Sequence, residues 1–87
     1  MSQEQSTAEF VLYSTDACHL CETAEEMLDA LKPAFPGLCY AVVDISASDA
    51  LIERYGVRIP VLRHPDGREL DWPFQWDNLA VFVGASG

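Results

Sequence analysis

The chain has 87 residues, room for one small domain, and 49% of them are apolar, which excludes an intrinsically disordered chain. Fourteen acidic residues against five basic give a formal charge of −9, which argues against nucleic acid or an anionic membrane surface as partner and favours a partner with a basic face. No apolar run approaches the roughly 20 residues of a membrane span. Three cysteines are an odd count for a secreted disulfide scaffold, so a cytoplasmic protein is expected, in which a close cysteine pair is catalytic or metal-binding.

Residues 1–8 read as a polar tail without the basic and apolar stretches of a signal peptide, and residues 9–84 as the single domain. Phe10-Val11-Leu12-Tyr13 is a strand, and Ser14 to Ala17 a turn. From Cys18 to about Lys32 the period becomes helical, with Leu20, Ala24, Met27, Leu28 and Leu31 as the apolar stripe. Glu22, Glu25, Glu26 and Asp29 form the solvated face, and Pro33 and Pro36-Gly37 stop the helix. Leu38 to Ile45 lacks polar alternation and reads as a buried parallel strand. Ser46 is the expected cap of a second helix, which turns Ala50, Leu51 and Tyr55 inward and ends at Gly56. Pro60 to Arg63 is a third strand, His64-Pro65-Asp66-Gly67 a hairpin turn with a solvated His64, and Arg68 to Trp72 a fourth strand. A last helix runs from about Gln75 to Val83, with Leu79 and Phe82 facing in and Trp72 and Trp76 packing it on the sheet. The order β-α-β-α-β-β-α predicts an α/β fold: a mixed four-stranded sheet with helices on both faces.

The chemistry is expected at Cys18-His19-Leu20-Cys21, where a strand hands over to a helix. A thiolate attacks a disulfide, and the free N–H groups and partial positive charge of a helix N-terminus favour a thiolate. That makes Cys18 the nucleophile. Cys21, one turn deeper on the same side, is the thiol that resolves a mixed disulfide. Protonated His19 would support the Cys18 thiolate, while Asp16, Glu22, Glu25 and Glu26 oppose it, so only moderate acidification and a reducing pair are expected. Ile59-Pro60 is the second marker: a proline suits a strand's first residue because it cannot donate to the ladder. The sequence alone favours an ordinary trans bond there, and a cis bond would put the residue-59 backbone beside the cysteines, free to pair with an extended substrate. His19, Leu20, Ile59 and Pro60 are therefore the residues expected to meet the substrate.

Leu12-Tyr13-Ser14, the Cys18–Cys21 motif, and Tyr55-Gly56-Val57-Arg58-Ile59-Pro60-Val61-Leu62 resemble the glutaredoxin-like branch of the thioredoxin superfamily, in order and spacing from Phe10 to Val83. The resemblance implies a thioredoxin-like fold, thiol–disulfide exchange with Cys18 as nucleophile and Cys21 as resolving thiol, and a cis bond at Pro60. The likeness has gaps. Glutaredoxins carry Pro-Tyr where this chain has His19-Leu20, and a basic residue near the place of Asp16-Ala17. Their Gly-Gly turn and Asp after the fourth strand are replaced by Asp71-Trp72-Pro73-Phe74-Gln75, so the groups that hold glutathione carboxylates are largely missing; Arg58 could supply one positive contact, although by its position it reads as a solvated turn residue.

The expected function is thus dithiol exchange with a protein disulfide or a small thiol by a monomer, with no cofactor and no metal. Two other classes stay open. One is a redox-sensing binding domain. The other is a metal or cluster carrier, with zinc on Cys18, His19, Cys21 and Cys39 or an iron–sulfur cluster held between two copies.

Overall fold

The computed structural model describes residues 9–16 and 18–84; the expected tail over 1–8 and Ala17 of the expected turn lie outside them. The elements are β1 (Phe10–Ser14), α1 (His19–Leu31), β2 (Tyr40–Asp44), a 3-10 turn (Ile45–Ala47), α2 (Asp49–Tyr55), β3 (Val61–Arg63), β4 (Glu69–Asp71) and α3 (Trp76–Gly84). This is the predicted order. The sheet runs β2-β1-β3-β4. β1 and β2 are parallel, from Phe10 opposite Tyr40 to Ser14 opposite Asp44. β3 pairs antiparallel with both β1 and β4. Gly67 closes the β3–β4 hairpin at φ 101°, a conformation that side-chain-bearing residues rarely adopt.

Strand alternation divides the interior in two. Phe10, Leu12 and Leu62 pack with Ala24 and Leu28 of α1 and with Leu79 and Val83 of α3. On the other face Tyr13 and Val61 pack with Ile45 and with Tyr55 of α2. Helices therefore cover both faces.

Several local expectations are corrected. β2 is parallel but half exposed, because it is an edge strand with β1 as its one neighbour. The inward stripe of α1 begins at Cys21 rather than Leu20, which is 48% exposed; a helix turns about 100° per residue, and Cys21, Ala24, Leu28 and Leu31 share one side. Ser48, not Ser46, caps α2 by accepting the Leu51 N–H at 3.4 Å. Ser46 instead donates its N–H and hydroxyl to Asp44, which caps the intervening 3-10 turn. Ala50 is exposed, so Leu51 and Tyr55, four residues apart, form the inward edge of α2. Trp72 packs against Phe74, but Trp76 is exposed. His64 is buried, not solvated: Phe10 and Phe82 flank its ring edge-on, and its Nδ1 accepts the Asp66 N–H at 3.1 Å.

One polar network ties the loop between α2 and β3 to β4. The Tyr55 hydroxyl donates to Glu69 at 2.5 Å, and Tyr55 stacks on Tyr13 with centroids 4.1 Å apart. Burial, and then the bond to Glu69, push the Tyr55 phenol up to about 12. Arg58 lies over the Tyr55 ring and bridges Glu69 at 2.8 Å and Asp71 at 2.9 Å. Glu69 is held below the usual carboxylate range first by the Tyr55 hydroxyl and then by Arg58, and Asp71 by Arg58. Carboxylates with depressed folded-state pKa values stabilise the fold fully above their ordinary values, and that stability is lost as pH falls through the depressed ones. Arg58→Ala is expected to cost about 1 kcal/mol near neutral pH, since the ion pairs are partly exposed. Urea midpoints measured against pH check this: wild type and variant converge in acid, once both carboxylates are protonated.

Candidate active site

Cys18 is the N-cap residue of α1, with extended backbone (φ −93°, ψ 106°) before the helix begins at His19. Its Sγ takes the position of a capping oxygen and accepts the Cys21 N–H at 3.2 Å. One helical turn brings the two Cα atoms to 5.2 Å, and Cys18 and Cys21 are joined in a disulfide. The two sulfurs differ in access. Cys18 is half-buried, whereas Cys21 is 2% exposed beneath the first turn. His19 and Leu20, between them, are exposed on the outer side.

Tyr13 near the end of β1 pairs with Val61 at the start of β3, so Ile59-Pro60 lies at the same end of the sheet as the cysteines. The Ile59–Pro60 peptide bond is cis. The Pro60 carbonyl accepts the Trp72 N–H at 3.1 Å, which anchors this segment to the end of β4; the Trp72–Pro73 bond is cis as well. The expectation of a free backbone at residue 59 is corrected in part. The Ile59 N–H is taken by the Tyr55 carbonyl at 3.1 Å, because the chain leaving α2 folds back on its last turn. The Ile59 carbonyl accepts no hydrogen bond among the described residues. Val57, in the same loop, Trp76, at the start of α3, and Leu20, between the cysteines, are exposed apolar side chains.

A groove of about 250 Å³ opens beside the disulfide. Ser14, Thr15 and Asp16 form one wall, Cys18, Cys21, Glu22 and Glu25 another, and Val42 and Asp44 of β2 the third. Val42 and Asp44 were not singled out from the sequence. The parallel pairing holds the signal that finds them: parallel strands end at the same edge, so the residue closing β2 falls beside the loop that leaves β1.

Every basic side chain is engaged away from this groove. Lys32 pairs with Asp29, Arg54 with Glu69, Arg58 with Glu69 and Asp71, and Arg68 with Asp66. Arg63 interacts with the Tyr13 phenol, which raises the guanidinium above its ordinary value. Arg58, the one cation left for a glutathione carboxylate by the sequence comparison, is thus already neutralised by two carboxylates. The Ser46 hydroxyl and N–H hold the Asp44 carboxyl below its usual range.

Cys39 lies at the opposite end of the sheet, where its carbonyl accepts the Phe10 N–H at 3.0 Å at the start of β1. It and the Cys18–Cys21 pair therefore sit at opposite ends of one strand, which rules out a shared four-ligand site in this fold. Among the described residues no three His, Cys, Asp or Glu side chains are gathered as metal ligands, and no helix is long and apolar enough to cross a membrane.

Known proteins agree with this architecture. A solved structure of the structural-genomics target protein XcR50 from X. campestris is 44% identical, over 90% of this chain and 99% of that one, with a TM-score of 0.76. Protein Ne2328 from Nitrosomonas europaea is 25% identical over 95% of this chain and 99% of its own, with a TM-score of 0.77. A mutant thioredoxin from Halobacterium salinarum, 21% identical, shares the fold at a TM-score of 0.68 over 91% of this chain and 74% of its own. No curated protein is significantly similar in sequence. The fold is the α/β thioredoxin-like one. The Glutaredoxin-like domain (DUF836) matches residues 9–83, and the chain, with its Cys18–Cys21 disulfide, belongs to that family.

Proposed function

We propose that this chain is a thiol–disulfide oxidoreductase that cycles between the Cys18–Cys21 disulfide and the dithiol. The observation that carries this reading is the asymmetry of the pair: one cysteine half-buried at the helix N-terminus, the other buried one turn behind it.

In the reduced protein the Cys18 thiolate attacks one sulfur of a substrate disulfide. The substrate S–S bond breaks, a Cys18–substrate disulfide forms, and the departing sulfur leaves as a thiolate that takes up a proton. Cys21 then loses its proton and attacks the Cys18 sulfur. The mixed disulfide breaks, the second substrate thiol leaves, and the Cys18–Cys21 bond is formed. One disulfide is reduced to two thiols as one dithiol is oxidised. An external dithiol donor restores the starting state by the reverse exchange. Burial of Cys21 keeps external disulfides from the wrong sulfur, while its place under Cys18 gives the second step a high effective concentration. The Ile59 carbonyl, without a hydrogen bond among the described residues, is the backbone group proposed to pair with an extended substrate, and the exposed His19 and Leu20 are the side chains proposed to meet it. A protein disulfide or a small disulfide suits this site.

With dithiothreitol as donor and a disulfide substrate, Cys18→Ser is expected to drop turnover to background. Cys21→Ser is expected to keep the first half-reaction and accumulate the mixed disulfide, seen as an added mass on the intact protein. Turnover that persists in Cys18→Ser contradicts the assignment. No turnover with any donor points instead to a redox-sensing domain.

The order of thiol reactivity gives an independent check. In the reduced protein iodoacetamide is expected to label Cys18 before Cys21. Removing the carboxylate of Glu22, one residue beyond Cys21, lets the thiolate form more readily, so Glu22→Gln is expected to speed labelling at neutral pH about twofold to fivefold. A Cys18 pKa below about 4 in the unmodified protein would contradict moderate acidification.

A further inference from the structure

We infer that this site selects cationic disulfides, those whose sulfurs are flanked by amines, lysines or arginines, over anionic ones such as glutathione disulfide. The inference rests on the proposed exchange at Cys18–Cys21 and concerns what that site accepts.

Three observations converge on it. The groove that opens on the disulfide carries four carboxylates, Asp16, Glu22, Glu25 and Asp44, brought together from the β1–α1 loop, the first turns of α1 and the end of β2. Three of them, Asp16, Glu22 and Glu25, have no ion pair or side-chain hydrogen bond among the described residues, so their charge faces the groove uncompensated. All five lysine and arginine side chains are engaged elsewhere, so among the described residues a substrate carboxylate entering the groove meets no spare lysine or arginine, and His19, exposed on the outer side of Cys18, is not part of the groove's lining. The substrate must bring a sulfur to Cys18, and the groups attached to that sulfur then lie against this acidic wall. An ammonium or guanidinium there is attracted, and a carboxylate is repelled at the same distance.

The reaction is unchanged: the Cys18 thiolate displaces one substrate thiolate, Cys21 displaces the other, and two thiols leave as the protein disulfide forms. Charge acts on the encounter and on the mixed disulfide, where the retained half of the substrate stays in the groove.

The test uses three small disulfides of similar size: cystamine as dication, 2-hydroxyethyl disulfide as neutral compound and 3,3′-dithiodipropionate as dianion. Pre-reduced protein is mixed with each, and oxidation of the pair is followed by acid quench and mass spectrometry. Each rate is divided by that of dithiothreitol, a neutral dithiol, with the same compound, which removes differences in intrinsic reactivity. The corrected cation-to-anion ratio is expected to be about tenfold or more in low salt and to fall to about twofold near 0.5 M salt, where screening is strong. Glu22→Gln/Glu25→Gln is expected to cut the low-salt ratio by about threefold or more. Because one thiolate attacks both compounds, the ratio cancels any change in Cys18 acidity. Glu53→Gln, exposed on α2 across the sheet, removes one unit of charge elsewhere, against two in the double variant, and is expected to leave the ratio unchanged.

A ratio near one in low salt overturns the inference while leaving the exchange reaction intact. So does an equal loss of ratio per charge removed in Glu53→Gln, which would assign the selection to overall charge. Oxidation by none of the three overturns the exchange reading itself, and the selectivity with it.

Discussion

The handover from β1 to α1 is the constraint on which the site depends. β1 lies inside the sheet, held by parallel β2 on one side and antiparallel β3 on the other. Its end is therefore fixed, and the chain leaves it to start a helix whose first free N–H groups need acceptors. Cys18 stands at that point and accepts the Cys21 N–H through sulfur. A capping oxygen is replaced by a sulfur, which is joined to Cys21 in a disulfide. The helix period then sets the second cysteine one turn below, on the side facing the core, where the stripe of Ala24 and Leu28 continues. Reactivity and packing thus follow from one backbone geometry.

The remaining elements serve this end of the sheet. Tyr55, Glu69, Arg58 and Asp71 lock the loop that carries Ile59 and Pro60 to β4, and the Trp72 N–H fixes the Pro60 carbonyl from the same side. The cation that a glutathione carboxylate would need is thereby committed to structure. Charge is distributed accordingly: cations are neutralised by partners over the rest of the surface, while the wall beside the disulfide keeps carboxylates without partners. In the proposed exchange the same carboxylates would oppose the helix N-terminus in its effect on a Cys18 thiolate, which would link the proposed substrate choice to redox poise through one electrostatic feature.

Much of this was legible in the sequence because it is written in local punctuation. Proline and glycine mark the ends of elements, Asp66-Gly67 marks the hairpin, and a cysteine pair at a strand-to-helix junction marks the place where the disulfide lies. What was not legible depended on long-range placement. Leu38 to Ile45 is apolar enough for a central strand, yet sheet order makes β2 an edge and leaves Val42 exposed over the groove. His64 beside a turn looks solvated until Phe10 and Phe82, far apart in sequence, close over it. Two serines and an aspartate compete to cap after β2, and the extra 3-10 turn decides for Ser48. Arg58 reads as a free turn residue until the β3–β4 hairpin returns two carboxylates to it.

The central claim is that Cys18 and Cys21 form a reversible redox couple at a helix N-terminus. Its most direct test is equilibration of the protein across glutathione buffers of graded potential, with acid quench and mass spectrometry of the intact chain. The account predicts one two-electron transition between dithiol and Cys18–Cys21 disulfide, at a reducing potential below about −180 mV, with no glutathione adduct accumulating. A pair that stays in one state across the series, or a persistent glutathione adduct on Cys18, would contradict it.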